Sequence, residues 1–435
     1  MKENYPKRTL IVTPPPEEIT NSAMVENRPV NLDTLEECYD AANNMEYQGG
    51  FITPNYALEF LKANIPSIDI LSAPGWKEYE EAVKYGEYEI VGIGFRTYLA
   101  NVAVKMAQIA RKYKVKEVWS GNVGASTPGI GRYFDQTFLG YTEARMKQYI
   151  EGKPLEKYIH PILLSNISLL TNRRKVGYLF TMRGCSNNCL FCNIPQYKPR
   201  MILTPLEEII RLLDIYKEMG VTYIMLGDES FFSNPHYADK VAKIMDQKGM
   251  TWYCTTRADR ISGKVKYYKD HGMERAYVGI ETISAQNLKS AHKGEDADVI
   301  LNVLEEFRQN KCNLAATYIL GFEEDTPGSI VRDIEIMKSW DVFGVCFWIY
   351  TPFPNTELHR RFSREQKIID QTWEHYDCSH LVWKHPCITP AEMEKLRRYA
   401  IEEVVHPLNY RKRQVLRKMK KMKCPTCPTT LEKVQ

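Results

Sequence analysis

Residues 183–192 read Arg183-Gly184-Cys185-Ser186-Asn187-Asn188-Cys189-Leu190-Phe191-Cys192, which places three cysteines at spacings of four and three residues. Thiolate sulfur is the soft ligand that iron–sulfur clusters require, and a loop of this length can bring three sulfurs around one cluster. Because no fourth cysteine follows in phase, one iron of such a cluster would stay open to another ligand. The spacing alone leaves two other interpretations open, a zinc site completed from elsewhere in the chain and ordinary half-buried thiols.

The composition is that of a globular protein with more than one domain. The chain has 435 residues, of which 44% are hydrophobic and 26% are charged, and its formal net charge is +4. This length suits two or three domains, and the small net charge indicates no particular class of partner. The sequence has no run of about 18 apolar residues and no signal-peptide pattern at its start. We therefore expect a cytoplasmic protein without an integral membrane span, whose eleven cysteines are thiols and cluster ligands.

Residues 1–165 alternate between predicted strands and helices, which indicates a doubly wound, Rossmann-like α/β sheet. The predicted strands are Thr9–Val12, Ser67–Leu71, Glu89–Gly94 and Val115–Trp119. Ligands of such sheets bind beyond the carboxyl ends of the strands, so we expect loops 92–97 and 120–128 to share one crevice. Ordinary turns are the simpler interpretation of the glycines in these loops.

A linker is predicted over 152–175, and residues 166–360 then show the pattern of a partial (β/α)6 barrel of the TIM type. The six predicted strands are Lys175–Thr181, Tyr223–Leu226, Thr251–Thr256, Glu274–Thr282, Ala315–Phe322 and Gly344–Tyr350. Active sites of parallel barrels lie at the carboxyl ends of the strands, so the cysteine loop and the polar strand ends should surround one site. Six strands leave the barrel open on one side, which leaves room for a bulky substrate or for a cofactor held by the N-terminal domain.

Residues 361–435 are predicted to form a mainly helical segment that ends in a basic tail. The pattern Thr389-Pro390-Ala391-Glu392 predicts a capped helix that runs towards Tyr410. The pattern Thr204-Pro205-Leu206-Glu207 predicts the same kind of cap inside the barrel region.

The basic residues between Arg411 and Lys423 are suited to nucleic acid, anionic lipid or an acidic redox partner, although a solvated helix end is the simpler interpretation. Cys424 and Cys427 then supply half the ligands of a zinc or rubredoxin-type site. The residues that could complete it are Cys378, Cys387, His375, His380 and His385.

The order of residue types in the cysteine loop resembles the signature of the radical S-adenosylmethionine (radical SAM) enzymes. That order is cysteine, three residues, cysteine, one residue, aromatic, cysteine. The resemblance implies a [4Fe-4S] cluster on Cys185, Cys189 and Cys192, whose open iron chelates S-adenosylmethionine (SAM). Reduction of the cluster would cleave SAM to a 5′-deoxyadenosyl radical that abstracts a hydrogen atom. The resemblance extends over about residues 8–400, and the cysteine triad is its most specific part.

The same resemblance implies SAM contacts at the strand ends. Asp228 and Glu229 occupy the place of a short acidic motif that meets the methionine ammonium, although two adjacent carboxylates also suit a metal site or a general acid and base pair. Arg257 would bind the methionine carboxylate, with a surface ion pair as the alternative, and Glu281 would meet the ribose hydroxyls. The implied SAM contacts are Phe191, Gly227, Asp228, Glu229, Arg257, Glu281, Gly321 and Phe322.

The N-terminal sheet is similar to the cobalamin-binding domain that precedes many radical SAM cores. The implied cobalamin contacts are Gly94, Phe95, Arg96, Thr97, Gly121, Asn122, Ser126, Thr127, Gly140 and Glu143. The chain departs from the pattern in one respect, since none of its nine histidines lies in the Asp-x-His-x-x-Gly arrangement that supplies a lower axial ligand to cobalt. Members of this class often bind the corrin without that ligand, so the resemblance still implies cobalamin.

These features together favour a radical SAM enzyme that methylates an unactivated carbon with the help of cobalamin. Cyclisation, ring rearrangement or carbon–carbon bond formation by the same radical core is the alternative. A redox-sensing or structural iron–sulfur protein is an alternative of another class, but it has no use for an ammonium and carboxylate binding set. We expect a flavodoxin- or ferredoxin-type electron donor and a small-molecule, lipid or peptide substrate, and we do not expect nucleic acid as a partner. The sequence assigns no catalytic side chain and no particular substrate.

Overall fold

The computed structural model describes residues 6–15 and 55–405, except residues 170, 171, 199, 341 and 343. The predicted basic tail with Cys424 and Cys427 lies outside the described residues, as does the predicted C-terminal helix beyond residue 405. Within the described ranges, no helix combines the length and the apolar character needed to cross a membrane.

Five parallel strands form the sheet of the N-terminal unit. They are β1 (Thr9–Val12), β2 (Ile68–Leu71), β3 (Ile90–Gly94), β4 (Glu117–Gly121) and β5 (Gln136–Phe138). Their order across the sheet is β2-β1-β3-β4-β5, and every pairing is parallel. The first four strands confirm the sequence prediction. The sequence analysis missed β5, because three residues of mixed polarity carry no strand pattern.

Within the described part of this unit, four α-helices accompany these strands. They are α1 (Tyr56–Asn64), α2 (Trp76–Tyr85), α3 (Ala100–Lys112) and α4 (Glu143–Glu151). In α3 the buried residues recur at spacings of three and four and are mostly alanines, which lets the helix axis lie close to the sheet. The carboxyl ends of β3 and β4 therefore lie at one edge of a covered sheet, as the predicted Rossmann-like fold requires.

The second unit is built on the remaining strands. They are β6 (Leu163–Leu169), β7 (Asn172–Leu179), β8 (Met182–Arg183), β9 (Ile202–Leu203), β10 (Tyr223–Leu226), β11 (Thr251–Arg257), β12 (Met273–Glu281), β13 (Asn313–Leu320) and β14 (Gly344–Ile349). Seven of them form one sheet in the order β14-β13-β12-β11-β10-β7-β6, and β8 pairs with β9 alone. β7 and β10 to β14 run parallel, which confirms the six predicted barrel strands.

β6 is an additional strand that the sequence analysis did not predict. It pairs antiparallel with β7, with Leu163 opposite Tyr178 and Leu169 opposite Asn172. The prediction of a linker over 152–175 was therefore wrong from Leu163 onward, because this segment extends the barrel sheet as a hairpin. The predicted boundary between residues 165 and 166 falls inside β6, and the division into domains stays a prediction.

Helices surround the parallel strands of the barrel. They are α5 (Ile194–Tyr197), α6 (Leu206–Glu218), α7 (Pro235–Gln247), α8 (Ala258–Ile261), α9 (Val265–Asp270), α10 (Ala285–Ser290), α11 (Ala297–Gln309), α12 (Pro327–Met337), α13 (Glu357–Arg364) and α14 (Pro390–Ala400). Strand side chains alternate between two layers, as the period of two requires. Trp252 packs in the layer between strands and helices, whereas Tyr253 lies inside the barrel with Tyr178 and Tyr277.

One of the two predicted helix caps is present. At the start of α14, Glu392 N donates to Thr389 Oγ1 at 3.3 Å, and Thr389 N donates to Glu392 Oε2 at 2.8 Å. One π-helical turn, Ile401–Val405, follows this helix. The cap predicted at Thr204 was wrong, because the Thr204 hydroxyl donates to Phe180 O at 2.9 Å and does not cap α6. The Thr204 hydroxyl is thus bonded to a carbonyl oxygen distant in the sequence and does not cap the helix that follows it.

The segment between α13 and α14 contacts both units. Trp373 packs against the apolar cluster of the N-terminal sheet, and Asn101 Nδ2 donates to Glu374 Oε1 at 2.7 Å. Trp383 is buried in the barrel unit, where its Nε1 donates to Tyr350 O at 2.8 Å. An element in this position joins the N-terminal unit to the barrel.

Candidate active site

The cysteine loop begins where β7 ends, at the carboxyl edge of the barrel sheet. Antiparallel pairing of β8 with β9 closes the loop at its base. The loop is held separately near its tip, because the backbone N–H of Leu190 donates to Ala291 O at 3.1 Å. The three cysteines are therefore carried by a loop that is fixed at its base and near its tip.

Each cysteine sulfur accepts an N–H hydrogen bond. The donor and acceptor pairs are Asn187 Nδ2 to Cys185 Sγ (3.2 Å), Arg257 Nη1 to Cys189 Sγ (3.5 Å) and Ile194 N to Cys192 Sγ (3.4 Å). Burial raises the pKa of the Cys189 thiol and raises the pKa of Cys192 to about 12, so a bound metal centre is what would deprotonate them. Free thiols with N–H donors aimed at their sulfurs are a donor set that fits an iron–sulfur cluster.

The described residues hold no three histidine, cysteine, aspartate or glutamate side chains that converge on a single metal ion. The cysteines of an iron–sulfur cluster bind separate irons and need not converge in this way. The additional site predicted around Cys424 and Cys427 involves residues outside the described ranges and stays a prediction.

Asp228 connects the end of β10 to the start of the cysteine loop. Its carboxylate accepts hydrogen bonds from Thr181 N at 2.7 Å, from Met182 N at 3.2 Å and from the Thr181 hydroxyl. The residue is 2% exposed, and burial raises the pKa of its carboxyl to about 7. Asp228 therefore holds the backbone that leads to Cys185, and its contact with the SAM ammonium stays a prediction.

Glu229 holds the cysteine loop from both ends. The backbone N–H of Gly184, before the first cysteine, donates to Glu229 Oε2 at 2.8 Å. Lys198, after the last cysteine, forms an ion pair with Glu229 Oε1. A carboxylate has about four lone-pair sites, so these partners leave capacity for the predicted ammonium contact. Lys198 was not predicted as a site residue, because no sequence pattern marks a single lysine in a loop as the partner of a distant carboxylate.

Arg257 and Glu281 lie at the carboxyl ends of β11 and β12. Glu281 has a φ of 66°, at a point where the register between β12 and β13 shifts. A non-glycine residue in this region is strained, and such residues cluster at functional sites. Burial raises the pKa of the Glu281 carboxyl, and the charge of Lys293 opposes that shift. Lys293 was also missed, since it follows a helix and not a strand.

The predicted residues on β13 and in the cysteine loop meet around one aromatic ring. The ring of Phe322 lies 4.6 Å from that of Tyr350, and the ring of Phe191 lies 6.1 Å from it. The backbone N–H groups of Gly321 and Phe322 both donate to Asp325 Oδ2 at 2.9 Å. Burial raises the pKa of Asp325 to about 6. The Asp325 carboxylate thus holds the strand end that the resemblance assigns to SAM.

A cavity of about 460 Å³ lies between the N-terminal sheet and the barrel mouth. Six of the ten predicted cobalamin contacts line it, namely Gly94, Arg96, Gly121, Asn122, Gly140 and Glu143. From the barrel side it is lined by Gly227, Asp228 and Glu229. The other four lie elsewhere. Phe95, for example, is buried and packs 5.9 Å from Phe134. Three of the eight predicted SAM contacts and six of the ten predicted cobalamin contacts therefore line one cavity.

Two features of this cavity indicate room for a polar ligand. Some polar atoms in its wall have no hydrogen-bond partner, and the space beside the glycine at the end of β3 is empty. Among the described residues, Glu143 Oε2 and the Tyr56 hydroxyl are buried and have no hydrogen-bond partner. A Cβ added at Gly94 would meet no atom within 4 Å. Buried polar atoms are rarely left unpaired, so the cavity fits a ligand that brings hydrogen-bonding groups. A corrin with peripheral amides has that chemistry.

A sequence profile described as "Radical SAM superfamily" matches residues 179–337, which run from the end of β7 to the end of α12. Residues 179–337 are a radical SAM domain. The cysteine loop and the predicted SAM contacts all lie inside it. Over these residues the chain is similar to the radical SAM superfamily, and a domain of that kind implies a [4Fe-4S] cluster and SAM.

Two curated relatives are similar over much of the chain. One is "Uncharacterized methyltransferase PH0819" of Pyrococcus horikoshii, 27% identical over 60% of this chain and 60% of that protein. The other is "Bacteriochlorophyllide d C-8(2)-methyltransferase" of Chlorobaculum tepidum, 24% identical over 71% of this chain and 76% of that protein. The match thus spans less than two thirds of the first relative.

Two solved structures are similar in fold. The methyltransferase TsrM of Kitasatospora setae, with tryptophan and a SAM analogue bound, has a TM-score of 0.60 at 14% identity, covering 82% of this chain and 76% of that one. The cobalamin-dependent enzyme OxsB, with aqua-cobalamin bound, has a TM-score of 0.61 at 12% identity. The match covers 96% of this chain and 71% of that one. At this identity the likeness confirms the fold class, an N-terminal sheet followed by a radical SAM barrel.

Proposed function

We propose that this chain reductively cleaves SAM at a [4Fe-4S] cluster and uses cobalamin to methylate an unactivated carbon. One observation carries the proposal. The loops after β3 and β4 and the acidic strand end after β10 line a single cavity, although they lie more than 100 residues apart in the sequence. That arrangement would bring a corrin on the N-terminal sheet to the mouth of the radical SAM barrel.

The residues of the chain have separable tasks in this proposal. Cys185, Cys189 and Cys192 would hold the cluster, while Asp228 and Glu229 keep the cysteine loop against the strand ends. SAM at the cluster would supply a 5′-deoxyadenosyl radical, and cobalamin would supply the methyl group. The N-terminal unit faces the barrel across the cavity, and the segment that contains Trp373 packs on that unit, an arrangement that would keep water from a radical. The names of three relatives support methyl transfer, namely "Bacteriochlorophyllide d C-8(2)-methyltransferase", "Bacteriochlorophyllide d C-12(1)-methyltransferase" and "Hopanoid C-3 methylase".

The first experiment tests SAM cleavage. The protein is reconstituted anaerobically with iron and sulfide, then supplied with dithionite and SAM, and 5′-deoxyadenosine is measured by chromatography. We expect 5′-deoxyadenosine from the wild type and none from Cys189→Ala. Cys312→Ala is the matched control and should behave as the wild type, because Cys312 lies outside the loop and precedes β13, at the opposite end of the barrel strands from the cysteine loop. An intact cluster without 5′-deoxyadenosine would point to a redox-sensing or structural iron–sulfur protein.

The second experiment tests cobalamin. The protein is expressed with cobalamin uptake, and its corrin absorbance and stoichiometry are measured. We expect about one corrin per chain. A chain that cleaves SAM but takes up no hydroxocobalamin would contradict methyl transfer and would favour cyclisation, rearrangement or carbon–carbon bond formation by the same radical core.

A flavodoxin- or ferredoxin-type protein should replace dithionite as the electron donor.

A further inference from the structure

Four charged side chains pair with one another next to the cysteine loop. They are Arg257 at the end of β11, Asp259 in α8, and Lys293 and Glu295 after α10, and all but Asp259, which is 27% exposed, are buried. Lys293 Nζ lies 2.5 Å from Glu295 Oε2, and these two side chains are 3% and 0% exposed. Burying ions costs several kcal/mol each unless they are paired, so such a group is retained where its geometry is needed.

The group fixes the Arg257 guanidinium in one orientation. Its Nε lies 2.9 Å from Asp259 Oδ1 and 3.4 Å from Glu295 Oε1. Its Nη2 donates to the backbone oxygen of Lys293 at 2.5 Å. The Lys293 side chain is itself held, because Nζ donates to Gly279 O at 2.8 Å. Rotation of the guanidinium would break contacts on two of its three nitrogens.

The third nitrogen is directed at a cysteine. Arg257 Nη1 lies 3.5 Å from Cys189 Sγ, within the range of an N–H···S hydrogen bond. Hydrogen bonds to cluster sulfurs and the net charge around the cluster set its reduction potential. A fixed positive charge that donates to a ligand sulfur stabilises the state with one more electron, and therefore raises that potential.

We propose that Arg257 makes the cluster easier to reduce through its hydrogen bond to Cys189, and that Lys293 and Glu295 are positioning residues for it. This inference rests on the proposed function, since it requires the cluster. It also goes beyond the predicted contact of Arg257 with the methionine carboxylate, because it assigns the guanidinium to the cluster and not only to SAM.

The test is the midpoint potential of the reconstituted cluster, measured by redox titration followed by electron paramagnetic resonance, with and without SAM. Without SAM, Arg257→Gln should shift the potential to a more negative value, and Arg257→Lys should shift it in the same direction but less. The matched control is Arg308→Gln on α11, an exposed arginine paired with Glu305, which should leave the potential unchanged. An unchanged potential in Arg257→Gln, whether or not SAM binding weakens, would overturn the proposal.

The positioning role is tested by a charge-neutral double variant, Lys293→Met with Glu295→Gln. It removes one positive and one negative charge, so the net charge near the cluster does not change. We expect a negative shift smaller than that of Arg257→Gln, because the guanidinium keeps its charge and its contacts with Asp259 and the Lys293 backbone oxygen but loses the charge of Glu295 that helps to hold it against Cys189. A wild-type potential in this variant, with a full complement of iron, would overturn the positioning role. Failure of the proposed function is distinct, since then the wild type itself would assemble no cluster or cleave no SAM.

Discussion

Arg183 Nη1 lies 2.6 Å from Glu143 Oε1, and this ion pair joins the barrel to the N-terminal unit. The two side chains are 9% and 8% exposed. The guanidinium also lies 4.6 Å from the ring centre of Phe60 and 4.8 Å from that of Tyr141. Because Arg183 precedes the first cysteine by two residues, the pair ties the cysteine loop to the helix that begins at Glu143.

Arg183→Met should lower the free energy of unfolding by about 3–5 kcal/mol, because it leaves the Glu143 carboxylate buried without its partner. The measurement is urea denaturation. The double variant Arg183→Met with Glu143→Gln should recover much of the loss, since no lone charge stays buried. Arg308→Gln, at an exposed ion pair, should change the free energy by less than about 0.5 kcal/mol. Equal losses in the single and double variants would contradict this account.

Asp228→Asn should change how stability depends on pH. The pKa of Asp228 is about 7 in the folded protein, well above its ordinary value near 4, so the folded state keeps a proton that the unfolded state releases. The stabilisation of the folded state by this group is fully present below about pH 4 and is lost as the pH rises to about 7. Over that range the free energy of unfolding falls by about 1.4 kcal/mol per pH unit. Asparagine cannot ionise, so the variant should lack this loss. Urea denaturation at steps between pH 4 and 8 measures the free energy of unfolding of both proteins. The same dependence on pH in the wild type and in Asp228→Asn would contradict the raised pKa of Asp228.

Gly94→Leu should weaken cobalamin binding without unfolding the N-terminal unit. The new side chain would enter the cavity, where a Cβ meets no atom within 4 Å. We expect the dissociation constant of hydroxocobalamin to rise roughly tenfold or more, a cost of about 1.4 kcal/mol. Gly131→Leu is the control, because Gly131 is exposed and also has open space at its Cβ. Equal affinity in both variants would place the corrin elsewhere.

Gly227→Ala should disturb the aromatic stack between the two units. Its Cβ would lie 2.1 Å from the Phe180 ring, and that ring stacks on Tyr56 at 3.6 Å. Overpacking of this kind costs about 1–3 kcal/mol, measurable as a lower urea midpoint. Adding Phe180→Leu should relieve the loss in part. Gly328→Ala in the first turn of α12, where the nearest atom is 3.9 Å away, should be tolerated. A stable Gly227→Ala variant would contradict the steric argument.

Sequence patterns correctly predicted those features that depend only on neighbouring residues. The apolar runs predicted the parallel strands, and the Thr389 and Glu392 pair predicted its helix cap, because each depends on neighbouring residues. The predictions failed where a distant partner decides the outcome. The antiparallel pairing that makes β6 a strand and the Phe180 carbonyl that takes the Thr204 hydroxyl both come from other parts of the chain.

The cysteine spacing by itself predicted a loop that can bind a metal centre, because three thiols within eight residues are close together in any fold of that loop, and the order of residue types added the resemblance to the radical SAM signature. Only the tertiary structure decided what surrounds those thiols. Arg257 reaches Cys189 because β11 ends beside the loop, and its orientation depends on Lys293 and Glu295, which are a further 36 residues or more along the chain. The cavity likewise exists only because two sheets turn their carboxyl ends towards each other. Contacts of this kind depend on the folded path of the backbone, and no local pattern encodes them.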